Sequence, residues 1–239
     1  MPFLIALQFL TTLPVAGSTD LDPERQGASL EWYGVVGLVI GVILAVVGWL
    51  LSLFLSPIIV AALLLLGWVW ITGALHLDGL GDCADACLAP SRGRAFEIMK
   101  DPRAGPLAVT AIVAVLIVKF AALTVIVMEG HWLLLITAPI FGRIAAQVLF
   151  ITTPYVRSDG IGSAIAEHHD RERVLALVAV MTLVVMFLAG LGQWWLLPVL
   201  AVVFYVVRRL MMRKLLGTTG DSAGGLIEIM EMSALALLA

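Results

Sequence analysis

The residues that most clearly point to chemistry sit in the stretch HLDGLGDCADACLAP, which begins at His76. Asp78, Asp82 and Asp85 fall at i, i+4 and i+7. At about 100° per residue, that spacing puts three carboxylates within about 60° of one helix face. Like charges so placed repel one another, and a divalent cation would relieve the repulsion. An all-oxygen set favours Mg²⁺, Mn²⁺ or Ca²⁺ over zinc, with Mg²⁺ the usual choice when substrate phosphates complete the shell. The plainer alternative is a solvated acidic end that caps a helix. His76 precedes Asp78 by two residues, so on an unbroken helix it faces elsewhere. If Gly79 loosens the turn it becomes a general base, and otherwise it is a hydrogen-bonded structural histidine. Cys83 and Cys87 have C-x3-C spacing with no second pair, so they read as small packing residues and not as a zinc or redox site.

Three further segments carry charge of the same character. EIMKDPRAGP holds Glu97, Lys100, Asp101 and Arg103, a mixture suited to a metal beside phosphate oxygens. Pro102 disfavours helix at Asp101, which predicts an ordered turn. TPYVRSDGIG supplies Arg157, Asp159, Gly160 and Gly162. TTGDSAGG supplies Thr219, Gly220, Asp221, Gly224 and Gly225, followed by Glu228 and Glu231 in an apolar tail. Glycines around an acid allow close backbone approach to a ligand. Glu228, Glu231, Arg143 and Lys119 all lie in apolar tracts, where an ionisable group needs a partner; for Lys119, snorkelling towards the outer surface is the simple expectation.

These residues must be positioned by membrane helices. Of 239 residues, 62% are hydrophobic and 13% charged, against about 45–50% and 25% in soluble domains. Mean hydropathy is +1.08. A soluble globule, a disordered chain and a disulfide-stapled secreted module are excluded, and a net charge of −3 argues against nucleic-acid binding. Residues 32–75 contain no acidic or basic side chain and predict two spans with a turn near Ser56-Pro57. Further spans are expected from Pro106, from Trp132, twice between Val174 and Val207, and in the tail from Ala223. The segment Phe3–Val15 reads as interfacial or re-entrant, not as a cleaved signal. The fold class expected is an all-α polytopic integral membrane protein with six to seven transmembrane helices, one domain over residues 1–239. Lysine and arginine cluster in alternate loops, which places those loops and the amino terminus in the cytoplasm. No internal repeat supports an inverted-repeat transporter.

With its motifs assembled, the chain resembles the cobalamin synthase family, the adenosylcobinamide-GDP ribazoletransferases. The resemblance runs through LQFLTTLPV (Leu7 to Val15), GALHLDGLGDCAD (Gly73 to Asp85) and EIMKDPRAG (Glu97 to Gly105). It continues through Gly142-Arg143 and Arg157 to TTGDSAGGLIEIME (Thr218 to Glu231). It implies a multi-pass enzyme of the cytoplasmic (inner) membrane with cytoplasmic active-site loops. The reaction implied joins adenosylcobinamide-GDP to α-ribazole or its 5′-phosphate with Mg²⁺ and releases GMP. By resemblance, Asp78, Asp82 and Asp85 become metal ligands, Asp101 and Asp221 candidates for a second metal or for positioning, and Asp82 or His76 the base. Lys100, Arg103, Arg143, Arg157, Thr219, Gly220, Glu228 and Glu231 would bind substrate and phosphate. Partners implied are the two small-molecule substrates, the bilayer, and either a second copy or other enzymes of cobalamin assembly. Three departures stand out: Thr12 where arginine is common, Leu216 in place of a glycine, and Pro102 in place of serine. Two other readings are a CDP-alcohol phosphotransferase-like enzyme, whose D-x2-D-G-x2-A-R-x8-G-x3-D-x3-D spacing is missing, and a non-enzymatic transporter component.

Overall fold

The computed structural model describes residues 1–15, 22–157 and 161–239; Asp159 and Gly160 lie outside them. All regular structure among these residues is helical: α1 (Pro2–Leu10), α2 (Pro23–Ser29), α3 (Tyr33–Ser52), α4 (Pro57–Ile71), α5 (Leu75–Ala86) and α6 (Arg92–Ile98). There follow α7 (Pro106–Glu129), α8 (Trp132–Thr152), α9 (Ile161–His168), α10 (Arg171–Ala189), α11 (Leu196–Leu215) and α12 (Gly220–Leu238). Large apolar side chains such as Trp70, Leu183 and Phe187 point outward, as a lipid-facing surface requires.

The protein is an all-α polytopic membrane protein. Among the described residues, four segments are long and apolar enough to cross a bilayer: Pro23–Ser52, Pro106–Glu129, Trp132–Thr152 and Arg171–Ala189. A fifth exists if α4 and α5 are counted together. Six to seven were expected, and the difference has physical causes. The 15 residues of α4 reach about 22 Å, short of a hydrocarbon core of about 30 Å. Arg208, Arg209, Arg213 and Lys214 occupy the last two turns of α11, and α12 carries Asp221, Glu228 and Glu231.

At the end of α4 the chain bends by 85° into α5, so α5 leaves the span and runs across its end. Gly73 and Ala74 make the bend in left-handed backbone, with φ of +61° and +56°. The exposed carbonyls of α4 are met by Thr12: its hydroxyl donates to Trp70 O at 2.9 Å and its N–H to Ile71 O at 2.7 Å. Thr12 thus caps the helix that delivers α5.

Two helices form the interior. Against α8 lies α3, which meets it through Gly37 and Gly41. A methyl group at either glycine would come within 2.6 Å of the backbone at Pro139 or Ile136. Small residues four apart are the usual device for bringing membrane helices into backbone contact. Against the other side of α8 lies α12, which buries most of its length between α5, α7 and α8.

Between α7, α8 and α12 four charges meet. Lys119 Nζ donates at 2.6 Å to both Glu228 and Glu231, and Arg143 pairs with the other oxygen of Glu231. None is more than 3% exposed, and the Trp68 ring lies 4.5 Å from Lys119 Nζ. Lys119 therefore does not snorkel outward. Two cations and two carboxylates cancel, which is how ionised groups persist away from water.

Removing one member leaves a buried unpaired charge, a loss of about 3–5 kcal/mol. Lys119→Met is expected to give little folded protein by size exclusion in detergent, whereas Lys119→Met with Glu228→Leu recovers much of the yield. Equal yields for the two variants would show that the charges are not coupled.

Candidate active site

The site is built where α5, α12 and the segment after α8 meet. On α12, Thr219 and Ser222 form a reciprocal cap: Ser222 N–H donates to Thr219 Oγ1 at 3.1 Å, and Thr219 N–H to Ser222 Oγ at 2.8 Å. That cap fixes the first turn, which carries Gly220 and Asp221. Ahead of it, Thr218 N–H donates to Pro154 O at 2.8 Å and Val156 N–H to Thr218 O at 2.9 Å. This short parallel bridge, Tyr155 against Thr218, brings Arg157 to Asp221, where Nη1 lies 2.9 Å from Oδ2.

On the other side, α5 crosses α12 on its glycines. A Cβ at Gly79 would collide with the Asp221 carbonyl. One at Gly224 would press on His76 Cα, and one at Gly225 on Leu80 Cα, each at 3.2 Å. The glycines of the two motifs therefore interlock, which sets Asp78 beside Asp221.

A cavity of about 390 Å³ opens at this junction. Asp78, His76, Arg157, Gly220 and Asp221 line it, together with Tyr155 and a wall of aromatic and aliphatic groups. His76 is 2% exposed, and neither ring nitrogen has a partner among the described residues. Burial, and then the charges of Arg143 and Lys119, push its pKa well down, so the ring is neutral. His76 reaches the same cavity as Asp78 because it sits in the first turn after the bend.

Asp82, half-buried beside the cavity, has its pKa pushed up to about 6 by burial and by the charges of Asp78 and Asp221. Burial also raises Asp221, with Arg157 opposing. Three carboxylates thus feel one another, with Arg157 as the opposing charge. Among the described residues no group of three or more such ligands stands close enough to hold a metal alone. A cation there would need oxygens from a substrate, which is how Mg²⁺ is usually held.

The other candidate residues have different uses. Asp85 shares the spacing of Asp78 and Asp82, but both its oxygens are engaged. They accept from Gly105 N–H at 2.6 Å and Ala108 N–H at 2.9 Å, so it caps α7 and ties α5 to it. Asp101 grips Arg103 through two bonds, at 2.9 and 2.7 Å, on the exposed turn before α7. That pairing holds its pKa down to about 2. Lys100 is exposed on the same turn, and none of the three lines the cavity. Arg143, Glu228 and Glu231 belong to the buried quartet; Arg143 Nε and Nη2 have no partner among the described residues, and none of the three residues lines the cavity. Thr219 is consumed in the cap. Tyr33 and Phe150, which line the cavity, carried no signal beyond apolar patterning.

The fold and site define a polytopic membrane protein with an acidic cleft at one end of its helices, opposed by an arginine and backed by an apolar cavity. A family model described as cobalamin-5-phosphate synthase matches residues 2–239, and the chain belongs to that family. Its relatives include an adenosylcobinamide-GDP ribazoletransferase of Stutzerimonas stutzeri, 46% identical over all of this chain and 98% of that one. Others bearing the same name come from Pseudomonas fluorescens strain Pf0-1, 46% identical over all of this chain and 99% of its own length, and Pseudomonas putida strain KT2440, 48% identical over 100% and 98%. No solved structure matches.

The raised Asp82 carboxyl has a consequence for stability. The folded protein binds a proton there that the unfolded chain has already lost, so stability falls as pH rises from about 4 to about 6. In metal-free protein held in lipid nanodiscs, the melting temperature should drop across that window, and Asp82→Asn should flatten the drop. A flat wild-type profile would mean that Asp82 is not held among like charges.

Proposed function

We propose that this protein is an adenosylcobinamide-GDP ribazoletransferase of the cytoplasmic membrane, acting at the final stage of cobalamin nucleotide-loop assembly. It transfers the adenosylcobinamide-phosphate moiety of adenosylcobinamide-GDP to α-ribazole, or to α-ribazole 5′-phosphate, and releases GMP. The observation that carries this reading is the junction of Asp78, Asp221, Arg157 and His76 on one cavity, in a chain whose full-length relatives bear that name.

The acidic donor set fits Mg²⁺ on the condition already stated, that substrate phosphates complete its shell. Asp78, Asp82 and Asp221 would hold it; Asp85 would not, because its oxygens are committed to α7. When bound, Mg²⁺ offsets charge on the diphosphate and on the GMP leaving group. Arg157 adds a fixed guanidinium for a phosphate oxygen. A ribose hydroxyl of the acceptor attacks the phosphorus that bears the corrinoid arm. The new O–P bond forms as the bridging P–O bond breaks, and GMP departs with the electron pair. The hydroxyl proton passes to Asp82 or His76; the burial and neighbouring cations that keep His76 neutral also make it the weaker base of the two. The apolar side chains that share the cavity lining, among them Phe9, Leu10, Phe150 and Ile227, limit competition from water as attacking group.

A cytoplasmic position for the cleft is supported by the basic residues near it in sequence: Arg92 and Arg94 after α5, Arg157 after α8, and Arg208, Arg209, Arg213 and Lys214 at the end of α11.

Purified protein in lipid, given adenosylcobinamide-GDP and α-ribazole, should release GMP and form matching cobalamin only with Mg²⁺ present. Asp82→Asn and Asp221→Asn should each lower turnover by about a hundredfold or more while the protein still inserts in membranes, since loss of a charge-stabilising group in the transition state has effects of this order. No GMP from folded wild-type protein, or near-normal turnover in both variants, would overturn the assignment.

A further inference from the structure

The cavity has a second chemistry that phosphoryl transfer does not use. Besides its charged groups, its lining includes Phe9 and Leu10 from α1, Phe150 from α8 and Ile227 from α12. Tyr33, the first residue of α3, stands in that wall, its ring 6.5 Å from that of Phe9. It is 1% exposed, and its hydroxyl has no hydrogen-bond partner among the described residues. A buried hydroxyl without a partner costs about 1–3 kcal/mol, and such a group in a native protein calls for an explanation. Tyr33 is part of the lining of an aromatic-walled cavity of about 390 Å³, within the size range of small-molecule sites.

The composition of the wall selects the occupant. A purine such as guanine presents donors and acceptors on several edges. Against Phe9, Leu10, Phe150 and Ile227 most of them would be buried unsatisfied. A flat, largely apolar heteroaromatic base whose polar atom is one in-plane ring nitrogen suits the site better. It buries its faces on the aromatic wall and accepts a single hydrogen bond from the Tyr33 hydroxyl.

We infer that the apolar wall of this cavity seats the base of the acceptor nucleoside, and that Tyr33 is the specificity-determining residue that reads its ring nitrogen. The inference rests on the proposed reaction, which supplies an acceptor of this kind, and extends it by dividing the cavity. The base lies against Tyr33, Phe9 and Phe150, and the ribose falls to His76. The donor's guanine is left outside, where the exposed loops can solvate its edges.

The test is equilibrium binding of α-ribazole to the full chain in lipid nanodiscs, with neither donor nor Mg²⁺ present. The comparison ligand is the matching indole riboside, in which carbon replaces the ring nitrogen. Wild-type protein should bind α-ribazole about tenfold more tightly than the indole riboside, as one net hydrogen bond provides. Tyr33→Phe should bind both alike, at the weaker level. Because Tyr33→Phe removes an unpartnered hydroxyl, the ligand-free variant should melt no lower than wild type; a lower melting temperature would mean the hydroxyl is already satisfied and would overturn the proposal. Ala146→Phe, which fills the same cavity from α8, should lose α-ribazole binding altogether. Equal wild-type affinity for the two ribosides, discrimination retained in Tyr33→Phe, or Tyr33-dependent binding of GMP in place of α-ribazole would each overturn it. Selective binding without GMP release in the full assay would instead count against the proposed reaction and leave the base site standing.

Discussion

The structure depends on cancelling four charges away from water. Lys119 on α7, Arg143 on α8, and Glu228 and Glu231 on α12 come from three helices, and each needs the others to remain ionised where it lies. Because Glu228 and Glu231 are two to three turns below Asp221 on one continuous helix, the register that satisfies the quartet also sets the height of Asp221. A one-residue slip of α12 would rotate its carboxylates by about 100° away from their partners. The cleft thus inherits its precision from an electrostatic lock that takes no part in its chemistry.

Backbone contact completes what the lock begins. Gly79, Gly224 and Gly225 let α5 and α12 touch main chain to main chain, so the spacing of Asp78 and Asp221 does not rest on flexible side chains. Asp85 then fastens the far end of α5 to the start of α7, and Thr12 fastens the near end through the carbonyls of α4. A helix that turns 85° out of its span would otherwise be held at one point only. Stiff support of this kind is what a site that positions phosphates requires.

Much of this arrangement can be read in the sequence, and the rest cannot for definable reasons. Helical character and the shared face of Asp78, Asp82 and Asp85 follow from spacing and charge, whereas the pairing of Arg157 with Asp221 does not. The fate of Asp85 does not, because it is decided by the start of α7, twenty residues later, whose N–H groups need an acceptor. Arg143, Glu228 and Glu231 announce that they need partners but not that they choose one another, and a phosphate would have served equally on paper. Lys119 stands mid-way along α7 and reads as a lone lysine that could reach outward until the carboxylates facing it are known. Tyr33 opens a long apolar run and is indistinguishable there from a lipid-facing aromatic. Charge-free length also does not show where a chain bends, as it does at Gly73-Ala74.

The order in which the quartet is made has a consequence for how the protein is born. Lys119 and Arg143 enter the bilayer with their own helices, about a hundred residues before the ribosome reaches Glu228 and Glu231. Until α12 arrives they are cations without counter-ions, each costing about 2.5–3.5 kcal/mol at mid-membrane on insertion scales. The nascent chain must therefore shelter them, either in the insertion machinery or by letting α7 and α8 sit shallow. Docking of α12 is then the step that draws the bundle to full depth, and the catalytic cleft is assembled in the same event.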